Sequence, residues 1–119
     1  MNLQKVLKAI SDENRLRILH LINHKELCVC EIESISGMMQ SNVSRHLIKL
    51  KEAELIESEK NGQFVFYHLN SEAVASFPFL KDLLDQELAK LKLFQADLQK
   101  LNEVSETGLM CIREECQKG

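Results

Sequence analysis

The sequence predicts a mainly α-helical fold carrying one β-hairpin, an α+β chain, and three features predict it. Apolar residues recur at three- and four-residue steps through most of the first 55 positions. Asn61-Gly62, the strongest short-range hairpin signal, then precedes the aromatic and β-branched run Phe64 to Leu69. A long leucine stripe, Leu80 to Leu101, follows the single proline, Pro78.

Leu3, Val6, Leu7 and Ile10 mark one face of a first helix. Ser11 or Asp12 can cap a second, in which Leu16, Leu19 and Ile22 keep helical spacing while Ile18 and Leu21 widen the stripe. "NHKE" breaks that pattern. Ile32, Ile35 and Met39 then repeat from just after Cys28 and Cys30, with Gly37 near the turn. Val43, Leu47 and Leu50 define the core face of the next helix, expected over about Gln40 to Glu54. Two helices joined by a short glycine-containing turn form a helix-turn-helix, and a hairpin directly behind one makes it a winged helix. A two-stranded hairpin is marginal alone, so it must lean on the helices. The final stripe, Leu80, Leu84, Leu88, Leu91, Phe94, Leu98 and Leu101, reads as one long helix. That is more apolar surface than a chain of 119 residues can cover, and a second copy of the chain is the simplest cover. We therefore expect a homodimer joined through the N- and C-terminal helices. Residues 1–105 are read as the DNA-binding and dimerisation domain, and 106–119 as a cysteine-containing tail.

With 45% apolar and 28% charged residues, the chain can bury a core. No apolar run approaches the ~18 residues of a membrane span, and the N-terminal segment reads as an amphipathic helix, so a cytoplasmic protein without a membrane partner is expected. Thiols stay reduced in that compartment, which favours metal or redox roles for the four cysteines over structural disulfides. The net charge of −3 is not that of a wholly basic nucleic-acid binder. Residues 40–51, however, carry Arg45, Lys49 and Lys51 with no acid, a local basic face that phosphates feel most strongly under salt screening. No C-x-x-C motif, glycine-rich phosphate loop or activated nucleophile is present, so neither an enzyme nor a small-molecule substrate is expected.

The segments "AISDENRLRIL", "ELCVCE", "QSNVSRHLIKLKEAELI" and "NGQFVFYHL", in that order over about residues 5–70, resemble the ArsR/SmtB family of arsenical- and metal-responsive winged-helix repressors. "ELCVCE" followed by "SRHL" at this separation is the most specific part of the match. The resemblance implies a homodimer on double-stranded operator DNA, released when an inducer ion binds cysteines. Three positions depart from the family. Glu33 stands where the arsenite branch carries a third cysteine, Ser41 stands where many members have proline, and no histidine follows His68, which removes the zinc and nickel site of the last helix.

Cys28 and Cys30 are read as ion ligands; a disulfide between such close neighbours needs strained geometry. Residues two apart on an α-helix point to nearly opposite sides, so holding one ion requires the first turn to distort or stay unwound. That turn begins the DNA-binding motif, and the helix N-terminus is expected to favour thiolate over thiol. Cys111 and Cys116 in the tail are expected to complete the site. Arsenite, As(III), takes a trigonal set of thiolates, which any three of the four cysteines supply. Cd(II), Pb(II) and Zn(II) are the alternatives, since soft thiolates suit them as well. A thiol redox switch on the same cysteines is the rival regulator. Glu33, His20, His24 and His68 are read as structural or solvent-facing.

By the same match the helix from Gln40 enters the major groove. Gln40, Ser41, Asn42, Ser44 and Arg45 are the candidates for base edges, with Arg and Asn suited to bidentate contacts on guanine and adenine. His46 and Lys49 are expected to meet phosphate or position the helix. Lys60 and Gln63 stand at the wing tip, Lys60 within reach of phosphate.

Overall fold

The computed structural model describes residues 1–106. Asn2 caps α1 (Leu3–Ala9) by accepting the Lys5 N–H, and Asp12 caps α2 (Glu13–His24) by accepting that of Arg15 at 3.0 Å. Of the two candidate caps for α2, Asp12 is the one used; the Ser11 hydroxyl donates instead to the Lys8 carbonyl. Val6 and Ala9 fill the core from α1, while Leu3 and Leu7, expected on the same buried face, stand 42% and 46% exposed. A helix this short turns only one edge to its own chain.

Cys28 is the N-cap of α3 (Val29–Ser36), which stops at Gly37 in the left-handed region, φ 77°. That reversal turns Met38 inward and leaves Met39 exposed as the N-cap of α4 (Gln40–Glu52). Met39 is therefore not the core residue its spacing suggests, because the helical count stops at Gly37. Val43, Leu47 and Leu50 face the core as expected. α4 ends in a Schellman motif: the Leu55 N–H reaches the Leu50 carbonyl at 3.1 Å and the Glu54 N–H that of Lys51 at 2.9 Å. Glu54 takes the left-handed position, φ 62°, the only non-glycine residue with positive φ among those described.

β1 (Ile56–Asn61) pairs antiparallel with β2 (Phe64–Leu69), Ile56 opposite Leu69 and Asn61 opposite Phe64. The turn is therefore Gly62-Gln63, one residue later than the Asn-Gly signal suggests. Asn61 stays in the ladder and Gly62 alone takes positive φ, 68°. Leu27 adds an isolated bridge on the other edge of β2, exchanging both backbone hydrogen bonds with Tyr67 at 2.9 and 3.2 Å. A short helix not foreseen from the sequence, α5 (Ser71–Ser76), starts at Asn70. The Asn70 side chain accepts the Glu72 N–H and donates to the Glu54 carbonyl.

The final stripe is not one helix. α6 (Phe79–Asp82) widens into a π-turn over Leu83–Glu87, tightens to a 3-10 turn over Leu88–Lys90, and breaks at Leu91, whose backbone is extended. α7 (Lys92–Glu106) then resumes. The cause lies in the spacing. Leu80, Leu84 and Leu88 repeat every four residues, a step that drifts about 40° per repeat on a regular helix. The wider turn keeps all three buried. Phe94, Leu101 and Val104 restart the buried stripe after the break. No described helix is long and apolar enough to cross a membrane.

Candidate DNA interface and thiol site

The outward face of α4 is the candidate interface. Ser41, Arg45, Ile48 and Glu52 lie within an arc of about 60°, opposite Val43, Leu47 and Leu50. Gln40, Ser41, Arg45 and Lys49 are exposed, and Asn42 and Ser44 are half-buried. Asn42 does not stand independently of Arg45: its Oδ1 accepts the Arg45 Nη2 hydrogen at 2.7 Å. The arginine is thereby held along the helix.

Of the two roles expected for His46, its burial favours positioning the helix over meeting phosphate. It is 7% exposed, on the buried side of α4, where burial lowers its pKa from the ordinary histidine value and Asp12, Arg15 and Arg45 are the charges it feels. It packs and positions the helix. Beyond it Lys5, Lys8, Arg15 and Lys49 line a shallow cleft with Glu52, which makes the α1 side of α4 basic.

The wing is tied to this helix by Lys51, whose Nζ donates to Ser58 Oγ of β1 at 2.7 Å. Lys60 and Gln63 are exposed at its tip. His68 sits at the wing's base, 3.2 Å from Glu57 and 4.0 Å from Glu26, half-buried and away from the tip. His24 is exposed at the end of α2, and Glu33 is half-buried.

Cys28 begins α3 with an extended backbone, φ −94° and ψ 170°, so it already lies outside the helical turn that Cys30 occupies. It takes the place of serine in a capping box. The Glu31 carboxylate accepts the Cys28 N–H at 3.0 Å, and the Glu31 N–H meets the Cys28 sulfur. Glu31, 1% exposed, escaped the sequence reading. Its signal was the spacing of a capping box, Cys-x-x-Glu, with sulfur for the usual hydroxyl. The expectation of a favoured thiolate at Cys28 is reversed. Burial pushes the thiol above its ordinary pKa; the Glu31 N–H pulls the other way, and the Glu31 charge adds to the rise. Cys30, half-buried on the first turn, is disulfide-bonded in this structure, against the expectation of reduced thiols, and becomes an ion ligand only on reduction. Cys111 and Cys116 lie outside the described residues, and among the described residues no three His, Cys, Asp or Glu side chains gather around one point.

One further group is missing from the sequence reading: Arg17 of α2 grips Asp97 of α7. His20, read as structural or solvent-facing, is structural: it is fully buried against Phe94 and has no hydrogen-bond partner at either ring nitrogen among the described residues.

A helix-turn-helix followed by a hairpin tied to its second helix defines a winged-helix fold of the DNA-binding class. The profile of the family described as "Bacterial regulatory protein, arsR family" matches residues 12–58. The arsenical resistance operon repressor of Bacillus subtilis is 38% identical over 82 residues, 68% of this chain and 72% of that protein. The chain belongs to the ArsR family. The cadmium resistance regulator CadC of Listeria innocua is 42% identical over 65 residues, and the matched segment spans about half the length of each chain. Among solved structures, the homodimeric winged helix-turn-helix DNA-binding domain Mb0332 of Mycobacterium bovis superposes with a TM-score of 0.61 at 27% identity. That match covers 70% of this chain and 78% of that one.

Proposed function

We propose that this chain is a metal- or metalloid-responsive transcriptional repressor acting in the cytoplasm. It binds operator DNA as a homodimer and, with its thiols reduced, leaves it when a thiolate-seeking ion takes Cys28 and Cys30. The observation that carries the reading is the place of Cys28: its sulfur helps cap the first helix of the DNA-binding motif. To share an ion with Cys30, Cys28 must release its proton and swing its sulfur out of the cap, away from the Glu31 N–H. A lost N-cap costs a helix about 1 kcal/mol, so α3 is loosened at its first turn, where the DNA-binding motif begins. Relatives named for arsenical and for cadmium resistance support the class of inducer. Within that class arsenite is our choice, because Cys28, Cys30 and one of Cys111 or Cys116 make a trigonal sulfur set. Cd(II), Pb(II) and Zn(II) are the competing ions.

On DNA, Ser41, Ser44, Arg45 and Gln40 face the base edges, with Asn42 positioning Arg45, while Lys49 and Lys60 meet phosphate and Gln63 follows the wing tip. The exposed Leu3, Leu7, Leu91 and Leu93 support pairing of two chains through the terminal helices.

The test starts from duplex selected by the reduced protein out of a random-sequence library. Affinity for that duplex is titrated with arsenite, Cd(II), Pb(II) and Zn(II), for the parent, Cys28→Ser and Cys111→Ser/Cys116→Ser. Serine is itself a good N-cap, so Cys28→Ser keeps α3 and removes only the thiol. Release by arsenite that Cys28→Ser abolishes is the expected result. Release by cadmium or lead alone replaces the ion, and release by oxidant alone replaces the mechanism with a redox switch. Affinity unchanged by every ion and by oxidant ends the reading. Arg45→Ala should weaken binding at least tenfold with the fold intact, the loss of one bidentate base contact.

A further inference from the structure

Ile48 is 59% exposed on the outward face of α4, about 160° around the helix from the core residue Leu50. An isoleucine is a poor choice for a solvated helix face, being β-branched and apolar where lysine or glutamate would serve helix formation better. Its surroundings are not those of a protein-protein patch. Arg45 lies one turn before it and Lys49 next to it, Ser41 and Ser44 continue the face, and Lys5 and Lys8 line the cleft that Lys49 and Glu52 border. Glu52, one turn further on, ends the stretch that tolerates phosphate. The occupant that fits an apolar side chain ringed by cations and hydroxyls is the major groove, where one base alone offers a methyl group: thymine, at C5.

We infer that Ile48 is a specificity-determining residue that packs on a thymine C5-methyl group in the operator. Arg45 and the serines read polar edges; Ile48 reads the one apolar edge available, and selects thymine over cytosine at a single position in each half-site. The inference rests on the DNA-binding reading above.

The experiment substitutes deoxyuridine for each thymine, one at a time, in the duplex selected by the wild-type dimer. The exchange removes the methyl group and keeps the Watson–Crick and groove hydrogen bonds. Wild-type protein should lose about three- to fivefold in affinity at one thymine per half-site, the worth of one buried methyl group, and be indifferent elsewhere. Ile48→Ala should bind the thymine and uracil duplexes alike, near the level of wild type on uracil. Its side chain is exposed, so unfolding by urea should match the parent. Two results overturn the inference alone: sequence selection with indifference to every uracil, or a uracil penalty that persists in Ile48→Ala. Failure to enrich any sequence overturns the DNA-binding reading together with it.

Discussion

Arg17 holds Asp97 through two hydrogen bonds of 2.8 Å and gives a further N–H to the Ser36 carbonyl at 2.9 Å. One guanidinium thus joins α2, α7 and the end of α3, just before the turn that leads into α4. Both side chains are largely buried, 14% and 5% exposed. The carboxylate hydrogen-bonds raise the arginine pKa above its already high value, so it stays charged.

Removing one partner strands the other charge in the core. Asp97→Ala should destabilise the fold by about 3–5 kcal/mol. The double variant Asp97→Leu/Arg17→Met should recover most of that loss, since no unpaired charge remains. Urea unfolding of the three proteins measures both. A single variant within about 0.5 kcal/mol of the parent would show that water replaces the pair.

His20 gives a pH dependence with a definite sign. Burial lowers its pKa, with His24 adding to the fall while Asp97 and Asp85 oppose it. The unfolded chain, with histidine near 6.5, therefore takes up a proton before the folded chain does. Stability is unaffected above that value and is lost as pH falls below it, until the folded-state pKa is passed. His46 is shifted in the same direction and adds to the effect. Between about pH 7 and 5, His20→Leu should lose less stability than the parent, read as the change in unfolding midpoint. Equal losses would remove His20 as the source.

Glu54 holds a left-handed backbone that glycine adopts without cost. Glu54→Gly should stabilise the chain by about 1 kcal/mol, because the penalty on a Cβ at the Schellman position disappears. The carbonyl that Asn70 uses is unchanged by the substitution. Thermal unfolding reads the gain; a lower midpoint would mean that the Glu54 side chain contributes more than its backbone costs.

Glu31→Gln separates the two things Glu31 does. Glutamine still accepts the Cys28 N–H, so the capping box survives. It lacks the charge that helps hold the Cys28 thiol up, and the thiol pKa should fall. In a background of Cys30→Ser, Cys111→Ser and Cys116→Ser, the ultraviolet absorbance of the thiolate follows Cys28 alone during a pH titration. A midpoint unmoved or raised would show that burial acts without help from the carboxylate.

How much of this was legible depended on range. Val43, Leu47 and Leu50 were readable because period and burial agree within one helix. The Asp12 cap and the stop at Gly37 were local chemistry of the same kind. Met39 misled because the left-handed turn at Gly37 resets the helical count before it. The leucine stripe misled because a spacing of four fits a regular helix only loosely, and the chain met it with a π-turn and a break instead of one straight rod. Arg17 and Asp97 stand 80 positions apart, with nothing in either neighbourhood to pair them. The cysteines were found by their motif. Their environment was not, because burial of Cys28 and Glu31 depends on how α3 seats against the rest of the core.

The bridge between Leu27 and Tyr67 places the residue next to Cys28 in register with the wing strand. On the proposed reading, a displaced sulfur disturbs the wing and the helix-turn-helix through one backbone, and the two halves of the DNA grip loosen together. Linkage then works in both directions: whatever factor an ion subtracts from operator affinity, the operator subtracts from ion affinity. The free dimer is the more sensitive detector, and the number of occupied operators in the cell sets the ion concentration at which the response begins.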